Sequence, residues 1–338
     1  MVLWLKPNHY DSDVVVSTRV RLARNAAKLP FPHRLPLAEQ DKVKQMAKKA
    51  FLRENATDFS FYDTKDLSRA EKMQMVEKHI ASRDLMNRQS SGLIVSRDES
   101  ISIMLMEEDH FRLQCIRSGL DLEGTYDIIK EIDRMLQREV EYAFDRQFGY
   151  LTACPTNVGT GLRASVMVHL PGVVGAGQIG QIATSIGRLG YTIRGYYGEG
   201  SQGNGDIYQI SNDITLGHSE EEILQRLKAI VKSIIQQERQ ARQMIVKNNP
   251  AQQKDRVMRA YGILKNAYMI DSQEATQLLS LLNMAGTCQV ELPIDSVTLY
   301  GLMMDVKPAM LMGGENLSQE ERDIKRAEML RRYLGQTT

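Results

Sequence analysis

Five arginines, four carboxylates and one cysteine are the residues whose types and spacing could do chemistry. Arg19 and Arg21 sit in VVVSTRVRLARN (14–25), Arg112 in HFRLQC, and Arg194 in YTIRGYY, each on a strand-like segment and opposite its apolar residues. Arg163 falls near a predicted helix start, just after Gly159-Thr160-Gly161. A guanidinium matches phosphate oxygens two at a time and stays charged at any relevant pH, so several converging on one sheet face suit a polyphosphate. Taken singly, each is as readily a solvated position. The carboxylates are Glu107, Glu108 and Asp109 in MEEDH and Glu199 in YGEG; beside an arginine cluster they could bind magnesium, act as a base or hold a cationic acceptor. Cys154 opens CPTNVGTGLRASV (154–166) at the end of a predicted strand. A nearby arginine would draw its thiol toward the thiolate, which could sit against a cation.

The same stretch lacks a Gly-Lys-Ser/Thr ending, which excludes a phosphate-cradling P-loop, and no cysteine-protease signature surrounds Cys154. His79 and His110 are candidates for nucleotide contact; His9, His33, His169 and His218 have no special context.

The elements that must position these groups divide unevenly along the chain. In 14–25 the alternation puts Val14, Val16, Thr18, Val20 and Leu22 on one face and Ser17, Arg19 and Arg21 on the other. SGLIVS and SISIMLM (91–96, 100–106) read as a hairpin, HFRLQC as the next strand, and YTIRGYY and DIYQIS (191–197, 206–211) as two more; the short connections predict an antiparallel meander. Helical spacing covers 123–144 and the segment that Ser219 and Glu222 open as a capping box. The polar, proline-containing KNNPAQQ (247–253) marks a domain boundary, after which 254–266, 272–284 and 318–334 read as helices, the last with a Ser318–Glu321 capping box.

A chain of 338 residues with 43 basic and 42 acidic side chains can bury a sizeable core, and its near balance argues against coating nucleic acid or membrane. Three widely spaced cysteines without a Cys-x-x-Cys pair argue against a disulfide framework or structural zinc. With no signal-peptide pattern and no run of membrane-span length, the expectation is a soluble cytoplasmic protein.

In order, STRVRLARN (17–25), EEDHFR (107–112), CPTNVGTGLRASV (154–166) and RGYYGEGS with YQISN (194–201, 208–212) resemble the phosphagen (guanidino) kinase family. Only about 16 residues precede the first motif, and ERDIKRAEML near the end resembles the RDxxRA motif of the bacterial protein-arginine kinases within that family. The resemblance implies an α+β fold: a curved antiparallel sheet flanked by helices over 1–246, with an all-helical domain over 254–338. Two departures stand out, Met106 where the family has Asn, and the glycine-rich 172–187.

The resemblance further implies ATP-dependent phosphorylation of arginine side chains in proteins, with magnesium held mainly by nucleotide phosphates and water and no protein metal site. Ser17, Thr18, Arg19, Val20 and Arg21, His79, Arg112, Arg163 with Ala164, Ser165, Val166 and Met167, and Arg194 with Gly195, Tyr196, Tyr197, Gly198 and Glu199 would bind ATP. Backbone at 163–167 and 194–198 would complete that site. Glu108 and Glu199 would align the acceptor guanidinium, Glu108 taking its proton, with Cys154 as an electrostatic partner. A glutamate of pKa about 4.3 cannot deprotonate a guanidinium outright, so alignment carries much of the work. Arg322, Asp323, Arg326 and Ala327 would form an allosteric phosphoarginine pocket. The implied partners are proteins with exposed arginine, an activator protein, a stress-gene repressor and a Clp-type protease, the chain itself being a homodimer or larger. Its modification would mark proteins for degradation and tune stress regulators. A kinase for free arginine or another guanidino metabolite, and a non-enzymatic phosphoarginine adaptor, are the alternatives. On the first reading Glu199→Ala abolishes transfer with ATP binding retained, whereas Arg163→Ala weakens ATP binding; equal nucleotide affinity of the two variants, by calorimetric titration, contradicts that division.

Overall fold

The computed structural model describes residues 2–7, 11–52, 57–195, 204–313 and 315–335. Ten strands lie among them: β1 (Val15–Arg24), β2 (Phe59–Asp63), β3 (Gly92–Ser96), β4 (Ile101–Leu105), β5 (Phe111–Ser118), β6 (Phe144–Asp145), β7 (Gly149–Tyr150), β8 (Leu162–His169), β9 (Tyr191–Gly195) and β10 (Ile207–Asn212). The helices between them are α1 (Leu37–Leu52), α2 (Arg69–Glu77), α3 (Arg83–Asn87), α4 (Leu122–Gln137), α5 (Pro171–Gly175), α6 (Ile179–Gly187) and α7 (Glu220–Asn248). Only helices follow: α8 (Pro250–Asn266), α9 (Ser272–Leu282), α10 (Ser296–Asp305), α11 (Pro308–Met312) and α12 (Gln319–Gly335). No helix among the described residues is long and apolar enough to cross a membrane.

Eight strands form one antiparallel sheet in the order β2-β3-β4-β5-β1-β8-β10-β9. This is a meander only from β2 to β5. The first strand inserts at the centre, between β5 and β8, so the two halves of the sheet meet on the arginine-bearing β1. The expected helical start at Arg163 is wrong: LRASVMVH alternates as β8, paired on both sides. A second correction concerns Val16. The register of β1 against β8 shifts between Val15 and Ser17, and the extra residue turns Val16 away from Val14, Val20 and Leu22 into the other core.

Each face of the sheet covers a different core. One packs Val20, Leu22, Leu113, Ala164 and Val166 against α1, α4 and α7. The strong amphipathicity of α4 comes from Leu122, Tyr126, Ile129, Ile132 and Leu136 on one side, and the helix ends at Gln137 rather than running to 144. The other face, which carries the arginines, packs Val16, Leu93, Met104, Ile116, Met167 and Ile207 against Trp4 and the C-terminal helices through Leu264, Leu279, Tyr300, Met303 and Leu330.

The chain passes into those helices at a single break. The Ser219–Glu222 capping box starts α7 as expected, and α7 runs to Asn248; Asn249 alone separates it from α8, which opens on Pro250 because proline lacks the amide a helix interior needs. The polar stretch at 247–253, read as a domain boundary, thus holds a break between two helices. The Ser318–Glu321 box also forms, with Glu321 N bonding Ser318 Oγ at 3.2 Å.

The glycine-rich 172–187 folds as α5 and α6. A Cβ on Gly172 would stand 2.8 Å from the backbone nitrogen of Arg242, so glycine lets α5 lie directly on α7. Glu238, wholly buried, accepts from the amides of Gly172 and Val173 at 2.9 and 2.8 Å and pairs with Arg242 at 2.5 Å. Arg242 in turn reaches the carbonyls of Asp13 and His169 at 3.0 Å each. Glu238→Ala strands a buried guanidinium and two amides, and should lower unfolding free energy by about 3–5 kcal/mol; urea unfolding measures it, and a loss under about 1 kcal/mol contradicts this account.

Candidate active site

Antiparallel register decides which side chains share a face, because residues directly opposite point the same way. Arg21 lies opposite both Gln114 and Arg163, Arg19 opposite Ser165, and Arg194 opposite Gln209, while Arg112 stands two residues from Gln114 on β5. All five arginines thus share the face that the C-terminal helices partly cover. Arg19 Nη2 is fixed by Gln209 at 2.6 Å, and Arg163 Nη2 by Asp213 at 3.1 Å.

Burial together with the charges of Arg112 and Arg163 pushes the pKa of Arg19 down to about 10. Arg21 is lowered further, by burial and then by Arg19, Arg112 and Arg163, and its Nε is buried with no hydrogen-bond partner. A like-charge pair placed directly opposite destabilises a sheet by up to about 1 kcal/mol. Such a face fits a polyanion that brings its own negative charge.

One carboxylate relieves part of that repulsion. Glu107 is buried; burial alone would raise its pKa, but the ion pair with Arg112 and the bond from the Ser82 hydroxyl hold it below the ordinary glutamate range. Arg112 shows the reciprocal: burial works against its charge, and Glu107 overrides it. Glu108, next in the chain, is exposed and shifted the other way. Partial burial, then Asp109 and Glu107, raise its pKa, opposed by Arg112 and by a hydrogen bond from Cys154.

Cys154 and Glu108 are 46 residues apart in sequence, and Asp109 brings them together. Its Oδ1 accepts from Asn25 Nδ2 and from Ala153 N, both at 2.7 Å, tying the acidic turn to the end of β1 and to the residue before Cys154. Cys154 caps a single turn at Pro155–Asn157, half-buried, with Sγ 3.0 Å from Thr156 Oγ1. The glycines that follow serve the backbone rather than a ligand. Gly161 has φ +65°, and a Cβ there would lie 2.6 Å from the carbonyl of Ala23.

The sequence-predicted nucleotide residues separate by alternation. Ser17, Arg19, Arg21, Arg163, Ser165 and Met167 share the arginine face, whereas Thr18, Val20, Ala164 and Val166 are fully buried in the opposite core. The backbone of 163–167 is paired in β8 to β1 and β10, and the amide of Ala164 bonds Asn212 Oδ1 at 2.8 Å. Arg194 and Gly195 end the edge strand β9; Tyr196, Tyr197, Gly198 and Glu199 lie outside the described residues.

His79, at φ +61°, stands over the face, with its carbonyl accepting from Gln114 at 2.7 Å. Burial, then Lys307 and Arg19, lower its pKa, so the ring is neutral. His110 is not a nucleotide contact. It is buried, takes the amide of Ala26 on Nδ1 at 3.1 Å, contacts the carbonyl of Pro30 through Nε2 at 3.0 Å, and burial lowers its pKa to about 4.

At the far end, Arg326 is 1% exposed and Ala327 is buried, so this side of α12 is not a solvated face. Arg326 Nε bonds the carbonyl of Val306 at 2.6 Å, and Nη1 reaches the carbonyl of Ile270 at 2.7 Å and Asp323 at 2.5 Å. Arg322 and Asp323 remain partly accessible.

Residues 41–241 match the family model described as the catalytic C-terminal domain of ATP:guanido phosphotransferases, and 250–338 match that of the C-terminal domain of the protein-arginine kinase McsB. Proteins named protein-arginine kinase are 44% identical over 335 residues in Clostridium kluyveri (98% of this chain, 97% of that one) and 43% over 332 in Caldanaerobacter subterraneus (96% and 98%). The chain belongs to the protein-arginine kinase family. It is a phosphotransferase of the ATP:guanido type. The phosphagen-kinase fold is seen again in lombricine kinase, with TM-score 0.61 and 26% identity over 68% of this chain and 67% of that one. The duplicated taurocyamine kinase of Schistosoma mansoni shares the fold at TM-score 0.59 and 24% identity, over 68% of this chain and 34% of that one.

Within this family member, the Met106 departure has a physical account. Met106 sits at φ +62°, where Asn is at home and Met is not, a strain of about 1–2 kcal/mol. Its side chain is 2% exposed in the core, and full burial of a methionine contributes about 1.5–3 kcal/mol, which offsets the strain. Ser82 and Asp213 support the site and carry no sequence signal of their own, since their partners are 25 and 50 residues away. The crowding predicts opposite effects on stability and binding. Arg21→Met should raise the melting temperature of the nucleotide-free protein while weakening ATP at least about 100-fold, by about 2.7 kcal/mol; thermal scans with and without ATP measure both, and a lower nucleotide-free midpoint contradicts the repulsion.

Proposed function

We propose that this chain transfers the γ-phosphoryl group of ATP to arginine side chains of proteins. The observation that carries the reading is that Glu108 and Arg112 line one cavity: the acceptor carboxylate adjoins a phosphate-facing guanidinium. Arg19, Arg21, Arg112, Arg163 and Arg194 hold the phosphate chain and stabilise the charge that spreads over its oxygens during transfer. Ser17, Ser165, Met167, His79 and Gly195 complete the nucleotide site from the same face and its edge. Magnesium, if it entered with the nucleotide, would keep phosphate and water ligands, its usual preference.

Glu108 orients the incoming guanidinium and takes its proton as the phosphorus–nitrogen bond forms and the bond to the leaving ADP oxygen breaks. Glu199 is its partner in this assignment. The raised pKa of Glu108 makes it the better acceptor of the two kinds of glutamate in the turn, Glu107 being held ionised by Arg112. Cys154 contributes a polarisable group against the same cation and forms no covalent intermediate.

The helical segment 254–338 is proposed to form a regulatory and dimerising domain after a catalytic domain at 1–246. Phosphoarginine would meet Arg322 and Asp323 there, with Arg326 as the buttress that joins them to the carbonyls of Val306 and Ile270. A cytoplasmic setting, substrates marked for degradation, and contacts with an activator, a stress-gene repressor and a Clp-type protease complete the proposal. The alternative acceptor is a free guanidino metabolite.

Incubation with ATP and either casein or free arginine decides between them; acid-labile phosphate on casein is expected, and phosphate on free arginine alone overturns the reading. The pH dependence follows from Glu108. The ionised form accepts the proton and its pKa is raised, so kcat/KM by ADP release should fall on acidification above the ordinary glutamate range; Glu108→Gln should remove that limb and cut the rate at least about 100-fold.

A further inference from the structure

A cavity of about 420 Å³ opens beside the proposed acceptor carboxylate, lined by Glu107, Glu108 and Arg112 on one side and by Asp84, Asn87 and Arg88 on the other. The second wall belongs to none of the motifs described above. It is made by α3 and the residue that follows it, and its geometry comes from how that single turn is anchored. Leu85 and Met86 are buried in the core beneath the arginine face. Residues 84, 87 and 88, spaced i, i+3 and i+4, share the opposite side. Ser82 caps the turn by accepting from the amide of Leu85 at 3.0 Å, and its hydroxyl donates to Glu107. The wall is thus joined through one side chain to the carboxylate that holds Arg112.

The charges on this wall differ in what they already do. Arg112 is paired with Glu107, whereas among the described residues Arg88 forms no ion pair, although it is half-buried. A partly desolvated guanidinium without a counterion gains more from an incoming carboxylate than an exposed charge does. Asp84 and Asn87 are exposed at the mouth.

Resting on the protein-kinase reading above, we propose that the α3 wall reads the acceptor polypeptide next to its target arginine, with Arg88 selecting an acidic neighbour. The target side chain extends past this wall to Glu108, so the residues flanking it in the substrate must cross the cavity. Arg88 is a specificity-determining residue here and touches no reacting atom.

The test uses the full chain with ATP and two peptides that differ only in the residue beside one arginine, Glu or Lys. The wild type should favour the Glu peptide in kcat/KM. Arg88→Glu should lower kcat/KM for the Glu peptide about tenfold and raise it for the Lys peptide, inverting the preference. Asp84→Lys, at the exposed mouth, should strengthen the preference for Glu and serves if the first variant fails to fold. An equal change on both peptides overturns the proposal, as does a rise in KM for ATP with no change in peptide preference, which would assign Arg88 to the phosphate site. Wild-type inactivity on both peptides, with ATP consumed on free arginine, overturns the protein-kinase reading itself and this inference with it.

Discussion

The sheet face that carries Arg19, Arg21, Arg112 and Arg163 holds more positive charge than the described residues around it neutralise. Arg21 faces Arg163 directly across the β1–β8 ladder, and among the described residues Glu107 supplies the buried counter-charge, which it gives to Arg112. The rest of the architecture makes that arrangement tolerable. A central strand paired on both sides fixes the backbone beneath the arginines, and a full apolar core lies under it. Repulsion that destabilises the empty protein becomes binding energy for a polyphosphate, which is how a rigid site favours charge developing on its ligand.

The acidic turn after β4 separates two glutamates into two tasks. Glu107 is buried against Arg112 and stays ionised; Glu108 is exposed at the cavity beside it, is crowded by Asp109 and Glu107, and holds its proton more readily. The left-handed backbone at Met106 starts that turn, and Asp109 and His110 lock it against β1 and against the segment bearing Cys154.

The C-terminal helices share a core with the catalytic sheet instead of standing apart from it. Tyr300, Met303 and Leu330 pack in the same cluster as Val16, Met104 and Met167, on the arginine side of the sheet. Arg326 bonds the carbonyl of Val306, and the next residue, Lys307, is a buried amine whose pKa burial pushes down to about 7 and whose charge is felt at His79. The C-terminal helices and the arginine face of the sheet are thus built on contiguous packing.

Local alternation was enough to read β1, the β3–β4 hairpin, β5, β9 and β10, and the side of β1 on which Arg19 and Arg21 lie, because a strand's side-chain period is set by the backbone itself. Capping boxes at Ser219 and Ser318 marked two helix starts for the same local reason. The order of strands was not legible, nor was β8, whose glycine-containing approach imitates a helix start, nor the bulge that moves Val16 to the other face. The motifs in their order named the family. Only the tertiary structure put Cys154 against Glu108, set Arg163 opposite Arg21, and removed Thr18, Val20, Ala164 and Val166 from the nucleotide face. Those outcomes depend on pairing between segments far apart in the chain, and on which backbone groups that pairing has already used.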